Sequence, residues 1–215
     1  MRIYNTLDEI FSTYSHVAII RQLQHSMNGF TGREVAKRAN ISAPTSLNSL
    51  TKLESMNIVK RIIGGRDHIF SLNKENYFVK ELLLKMFQIE RHFIKDIVEE
   101  LKNNLSDYVI SAILFGSVAR KEETITSDFD ICFIFRGNKN KLEIENRTNE
   151  IRDSLYTKYG IRIAPLYVST ASFKKKSSPI IKNIIKEGEV LFGKSIQEIL
   201  NDKQKPKKEN RKKSI

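Results

Sequence analysis

The chain has 215 residues, 40% of them apolar and 29% charged, with a formal net charge of +12. That length holds one large domain or two small ones, and the composition is that of a globular protein, not of a disordered one. No run approaches the roughly 18 apolar residues that a membrane helix needs. The first residues, MRIYNTLDEIFSTYSH, carry acids where a secretory signal carries its apolar stretch. One cysteine, Cys132, excludes an internal disulfide, and both features point to the cytoplasm. Cys132 lies within ICFIF with no histidine near it, which suits a small core residue better than a nucleophile.

The positive charge calls for an acidic partner and is unevenly spread. Residues 201–215 hold seven Lys/Arg against two acids and no apolar residue but the last, as a disordered basic tail does. Such a tail either keeps the chain soluble or draws it to phosphates. Residues 1–77 hold ten basic and six acidic side chains, whereas 78–200 hold 20 and 17.

In chain order, HVAIIRQLQHSMN (16–28) reads as a helix with Val17, Ile20 and Leu23 on one face and Asn28-Gly29 at its end. Thr31 and Glu34 form the spacing of a capping box, opening a helix that buries Val35, Ala36 and Ala39. After the turn Asn40-Ile41-Ser42 comes a further helix, with Pro44 in its first turn and Leu47, Leu50, Leu53 and Met56 spaced by three. VKRII and HIFSL then read as strands of a hairpin turning at Gly64-Gly65-Arg66-Asp67. Helix, helix, turn, helix and ribbon, over residues 14 to 74, resemble the winged helix-turn-helix of MarR- and ArsR-like transcription regulators. The resemblance implies binding to double-stranded DNA. Ser42, Thr45, Ser46, Asn48, Ser49 and Lys52 would face the major groove from the recognition helix, and Arg61 and Arg66 on the hairpin would reach the backbone or the minor groove. The other reading of this polar face is a solvated surface on a protein-contact module.

Residues 77–104 carry apolar side chains at 79, 82, 83, 86, 89, 93, 97 and 101, one helical stripe. A helix of that length spans about 40 Å and serves either as an arm between domains or as the contact face of a homodimer. The four histidines are scattered, so no zinc site is expected.

YVISAILF (108–115) has the composition of a strand and leads directly into Gly116-Ser117. The glycine lets a ligand approach the backbone, and a helix opening at VARKEE would offer N–H groups to a phosphate. Ten residues later Asp128 and Asp130 stand two apart at the head of a strand, their carboxylates on one face with Cα atoms about 6.6 Å apart. Such a pair converges on one or two divalent cations, as nucleotidyl transfer requires. ICFIF, which follows, is apolar throughout, as a strand buried on both faces should be.

GSVARKEETITSDFD is identified as the signature of the DNA polymerase beta-like nucleotidyltransferases: Gly-Ser, ten residues, Asp-x-Asp. It is most similar to the minimal and kanamycin-nucleotidyltransferase-like branches, over about residues 108–195, with EGEVLFG (187–193) resembling the closing segment. The resemblance implies a mixed sheet with helices, so that the whole chain is of the α+β class. It also implies that Gly116 and Ser117 hold a nucleoside triphosphate, ATP or another, and that Asp128 and Asp130 are the catalytic residues and bind two Mg²⁺. Arg120 would offset phosphate charge or simply face solvent. A partner toxin protein is a further expectation, because related proteins act as antitoxins.

Two features depart from the family pattern. Lys121 stands where glycine is common, and IRIAPLYVS (161–169), where a third carboxylate is expected, has none; Ala164 or Leu166 takes its place. Pro165 marks that strand as an edge or an irregular one. Without a base, nucleotide and metal binding can outlast transfer, so the alternative function is a DNA-binding regulator that binds nucleotide without catalysis. The expected organisation is therefore a winged helix at 1–75, a connecting helix at 76–104, a nucleotidyltransferase-like domain at 105–200 and a tail at 201–215.

Overall fold

A computed structural model describes residues 3–64, 67–176 and 178–202, except for the side chains of 138 and 139. The chain divides into two compact units, Met1–Phe93 and Ile94–Ile215. Arg66, half of the expected hairpin turn and all but two residues of the expected tail lie outside the described residues.

In the first unit, α1 (Thr6–Ile10) leads to α2 (Tyr14–Leu23), where Thr13 accepts a capping hydrogen bond from the His16 N–H. The buried His16 ring lies against the end of α1, its Nδ1 3.1 Å from the Ile10 carbonyl. A short strand, β1 (Phe30–Thr31), precedes α3 (Gly32–Arg38), which opens with the Thr31/Glu34 capping box read from the sequence. Helix α4 (Ala43–Ser55) starts at an N-cap, Ser42, with Pro44 in its first turn. Strands β2 (Val59–Gly64) and β3 (Asp67–Leu72) pair antiparallel, and β1 adds to the far side of β3 to give the order β1-β3-β2. After α1 the order is thus helix α2, strand β1, helices α3 and α4 and the β2–β3 ribbon, closed over a core including Ile19, Leu23, Val35, Leu53 and Phe70.

The inner face of α4 differs from the expected one. Leu47, expected in the core, is 52% exposed, while Ser46 and Ser49, expected on the outer face, are buried. At 100° per residue, 46, 49, 50, 53 and 56 share the inner side and 47 falls off it. The serines are buried because their hydroxyls find partners: Ser46 Oγ donates to the Gly32 carbonyl at 3.2 Å, and Ser49 Oγ lies 2.8 Å from Ser15 Oγ on α2. Small polar side chains here let α4 pack close to its neighbours without an orphaned hydroxyl.

The long amphipathic segment also departs from a single stripe. A π turn at Val79–Leu83 precedes α5 (Leu84–Leu105). Val79, Leu83 and Phe87 enter the first core, and Ile97, Leu101 and Leu105 enter the second, while Ile89 between them is 68% exposed. The stripe is therefore interrupted within α5, at Ile89 and Phe93, which belong to neither core.

In the second unit the elements run β4 (Ser111–Leu114), α6 (Gly116–Ala119), β5 (Phe129–Phe135), α7 (Asn138–Tyr159), β6 (Ile163–Ser169), α8 (Thr170–Lys175), α9 (Pro179–Glu187), β7 (Glu189–Gly193) and α10 (Ile196–Asn201). The sheet order is β6-β5-β4-β7, with β5 and β6 parallel and the other pairs antiparallel. The α+β class with a mixed sheet is therefore observed. The helix expected at VARKEE shrinks to the single turn of α6, because the chain leaves it at Lys121 in a left-handed conformation, φ 58°.

The apolar run of β5 is buried on both faces, as expected. Ile131, Phe133 and Phe135 belong to a core shared with α5 and α7; Cys132 and Ile134 belong to a second core with α8, α9 and α10. Burial pushes the Cys132 thiol up to about 12, so it is an unreactive core residue. Pro165 lies on the edge strand β6. Phe129 N–H donates to the Arg162 carbonyl at 2.7 Å, which turns the even-numbered backbone groups of β6 toward β5. Odd-numbered Pro165 then faces the open edge, where its missing N–H removes no ladder bond.

The inner face of α4 predicts that Ser49→Glu destabilises the protein by about 2–4 kcal/mol, since it buries an unpaired charge. Asn48→Glu, one residue away on the exposed side, changes stability by no more than about 0.5 kcal/mol. Urea denaturation of the two variants checks the assignment, and equal losses would overturn it.

Candidate active site

The site lies where β4 and β5 end side by side. Antiparallel pairing brings Leu114 opposite Ile131, and Phe115 N–H then donates to the Asp130 carbonyl at 3.0 Å. The next residue, Gly116, has φ +76° and sits directly against the Asp130 side chain. A Cβ at Gly116 would lie 2.1 Å from Asp130 Oδ2 and 3.0 Å from its Cγ. Glycine is required there twice over, by the left-handed backbone and by the carboxylate pressed against it. Ser117 follows half-buried, its carbonyl accepting the Glu122 N–H at 2.9 Å, which folds the loop back after α6.

The ten-residue spacer ends in a closed turn. Ser127 N–H donates to the Thr124 carbonyl at 3.0 Å, and Thr124 N–H donates to Ser127 Oγ at 2.9 Å. This delivers Asp128, exposed, just before β5, with buried Phe129 as the first strand residue and half-buried Asp130 as the second. Asp130 has the parity of Cys132 and Ile134, so it occupies the end of the apolar face shared with α8–α10. Its carboxyl is raised above the ordinary aspartate range, chiefly by burial and then by the charge of Asp128, against the opposing pull of Arg120.

Arg120 is placed beside this pair. Its Nε donates to Glu122 Oε2 at 2.8 Å, and its Nη1 lies 3.8 Å from Glu187 Oε2, at the end of α9. Glu187 thus returns to the neighbourhood of the site but meets a guanidinium. Glu189 begins β7, opposite Leu114 across β4 and on the far side from β5. In the parallel register the residue beside Asp130 is Ala164, on the same face. Among the described residues no three His, Cys, Asp or Glu side chains gather as metal ligands. Two carboxylates at the end of an apolar face fit a hard divalent cation whose other ligands are phosphate oxygens and water.

A cleft of about 640 Å³ adjoins Asp128 on the β6 side, lined also by Arg152, Tyr156, Arg162, Ala164 and Pro165. It is not legible in the sequence, because it combines the end of α7 with the start of β6. In the first unit, Ser42 and Thr45 hydrogen-bond each other at 2.7 Å on the exposed start of α4, and Asn48 is exposed. Lys52 Nζ pairs with Glu9 Oε2 at 2.9 Å and Arg61 Nε with Glu54 Oε1 at 3.0 Å. A second cleft, of about 500 Å³, lies along this face between Gly32, Pro44, Leu47, Asn48 and His68.

These features belong to the nucleotidyl-transferring enzymes, and the chain's relatives agree. Residues 95–197 match the family model described as polymerase beta, nucleotidyltransferase. MJ0604 of Methanocaldococcus jannaschii, which bears the name of a protein adenylyltransferase, is 31% identical over 104 residues, or 48% of this chain and 98% of that one. MJ1305 of the same organism, named likewise, is 27% identical over 103 residues, 47% of this chain and 70% of its own. The crystal structure of a toxin-antitoxin with AMP-PNP overlaps 48% of this chain and 77% of its own, at 15% identity and a TM-score of 0.33. The chain belongs to the polymerase beta nucleotidyltransferase family. Among the described residues no helix is long and apolar enough to cross a membrane.

The raised Asp130 carboxyl has a consequence for the protein without cation. A folded-state value above the unfolded one means that ionisation works against the fold, and the penalty is present at pH above the raised value. Asp130→Asn therefore melts at a higher temperature than wild type near neutral pH. The gap closes as pH falls through the raised value toward the ordinary aspartate range. Thermal melts across that range check this, and a gap that widens on acidification would overturn it.

Proposed function

We propose that the second unit transfers a nucleotidyl group from a nucleoside triphosphate, ATP first among them, to a hydroxyl on a protein. The observation that carries this reading is Gly116 pressed against Asp130, which the β4–β5 pairing sets two residues from Asp128 at the head of β5. The names of the M. jannaschii relatives favour adenylyl transfer and a protein acceptor. Gly116 and Ser117 hold the triphosphate, Arg120 offsets its charge, and Asp128 and Asp130 hold up to two Mg²⁺. The bound ions supply charge neutralisation at the α-phosphate and a lowered pKa for the attacking hydroxyl. The acceptor oxygen bonds to the α-phosphorus, the bond from that phosphorus to the bridging oxygen breaks, pyrophosphate leaves, and the hydroxyl proton passes to water. With Ala164 beside Asp130, that proton meets no carboxylate on β6. A toxin-like partner protein is one acceptor this reading admits.

Incubation with α-labelled ATP, Mn²⁺ or Mg²⁺ and a cell extract is expected to label protein, and Asp128→Ala/Asp130→Ala to abolish the label. Ala164→Asp, which restores a carboxylate on the shared face, is expected to raise the rate by roughly 10²-fold or more, the scale of a positioned general base. Binding of labelled ATP with no transfer by either wild type or Ala164→Asp would leave only a nucleotide-binding role.

The first unit is read as a DNA-binding winged helix. Exposed Ser42, Thr45 and Asn48 on α4 supply groups suited to base edges, and Lys52 and Arg61 supply phosphate contacts once they leave Glu9 and Glu54. Arg66, which lies outside the described residues and is expected at the hairpin turn, would add a further one. DNA upstream of its own gene should bind with log K falling against log salt at a slope of about −2 to −3, for that many neutralised phosphates. A salt-independent affinity, or none at low salt, would refute this.

A further inference from the structure

The cleft beside Asp128 is a separate site from the Gly-Ser turn, and its chemistry is different. Gly116, Ser117 and Arg120 stand on the β4 side of Asp130; the cleft opens on the β6 side, and none of those three residues lines it. Asp128 is the element that the two share. A transferred group must pass between a triphosphate and an acceptor on opposite sides of the carboxylate pair. The cleft is therefore where the acceptor fits.

Its walls narrow the choice of acceptor. Arg152 and Arg162 are both exposed, and among the described residues neither has a carboxylate partner, whereas Arg120 on the opposite side is held by Glu122 and Glu187. The Arg162 guanidinium lies 5.6 Å from the ring centroid of Tyr156, a residue 52% exposed. Pro165 and Ile161 supply apolar wall. Asp153 also lines the cleft, so two guanidiniums face two carboxylates, one of which is engaged by cation during transfer. That balance is wrong for a nucleic acid strand, which brings a negative charge with every nucleotide. It is right for a single carboxylate next to the reacting hydroxyl, received by a fork of guanidinium N–H groups. The missing N–H of Pro165 on the open edge also argues against an acceptor that extends the sheet as an added strand.

We propose that Arg152, Tyr156 and Arg162 form the acceptor-specificity site, which selects a polypeptide segment with an acidic residue next to its hydroxyl. This rests on the nucleotidyl-transfer reading above and adds the recognition element to it. Arg152 and Arg162 act on the choice of acceptor and not on nucleotide binding.

The test uses the full chain and short peptides with a central Ser, Thr or Tyr flanked either by Glu or by Lys. Two measurements are made: transfer from α-labelled ATP, and NMR perturbation of the arginine Nε–H signals, which registers binding whether or not transfer occurs. The Glu-flanked peptides are expected to shift the Arg152 and Arg162 signals and to be labelled about tenfold more than the Lys-flanked set, the worth of one charge-assisted hydrogen bond. Arg152→Glu/Arg162→Glu reverses that preference while the affinity for a fluorescent ATP analogue stays within about twofold. The proposal is overturned if Mg·ATP shifts these two arginines and the peptides do not, if a short oligoribonucleotide shifts them more than the Glu-flanked peptides do, or if the double variant leaves the preference intact. Failure of the underlying reading looks different: peptides shift the arginines, ATP binds, and no label is transferred to anything.

Discussion

A glycine with no side chain against an aspartate that has nowhere else to go is the contact on which the second unit turns. Gly116 and Asp130 are fourteen residues apart in the chain, and only the antiparallel β4–β5 register brings them together. That register is fixed by burial. Ile131, Phe133 and Phe135 fill one core, and Cys132 and Ile134 fill the other, so a slip of one residue would exchange the two sets and turn Asp130 into the wrong core. The Phe115–Asp130 backbone hydrogen bond then sets the last step of the ladder at the place where the turn begins. Fold and site are one constraint here: the packing that stabilises β5 is what aims its first carboxylate.

The electrostatics follow from that placement. A carboxylate at the end of an apolar face loses water, and a second carboxylate two residues earlier adds repulsion, so the ionised form of Asp130 is disfavoured in the protein by itself. Arg120 opposes this only in part, because its own guanidinium is shared with Glu122 and Glu187. A cation bound there would relieve a cost already present in the fold. Glu187 illustrates how little proximity alone decides. It reaches the site's neighbourhood, yet its oxygen faces a guanidinium, which makes it a holder of Arg120 and not a third ligand.

Much of this was legible from residues alone, and what was not has a physical reason. Gly-Ser, ten residues and Asp-x-Asp stood out because each residue type is dictated by local geometry: φ, close approach, strand parity. Pro165 marked an edge for the same kind of reason, and Thr31/Glu34 a helix start. Leu47, Ser46 and Ser49 were misassigned because hydrophobicity was allowed to define the inner face of α4. The face is defined by angle, and two serines with partners at 2.8 and 3.2 Å satisfy it as well as leucines would. The apolar stripe failed within α5, at Ile89 and Phe93, because the helix serves two separate cores and these residues enter neither. The Asp128 cleft was invisible because Arg152, Tyr156 and Arg162 become neighbours only when the end of α7 meets the start of β6.

The two units also solve opposite problems of charge. The second unit places Asp130, with Asp128 two residues before it, where apolar packing disfavours its charge. In the first, on the outer side of α4 and on β2, two cations, Lys52 and Arg61, are tied to Glu9 and Glu54. What α4 presents outright is short and polar (Ser42, Thr45, Asn48) with Leu47 among them. Under the DNA-binding reading proposed above, a face built that way would give up part of the unspecific attraction to phosphates and favour contacts that depend on which groups are opposite, amide to base edge and aliphatic side chain to thymine methyl. On that reading each ion pair must be exchanged for a phosphate, and the exchange is favourable only where the rest of the surface already fits.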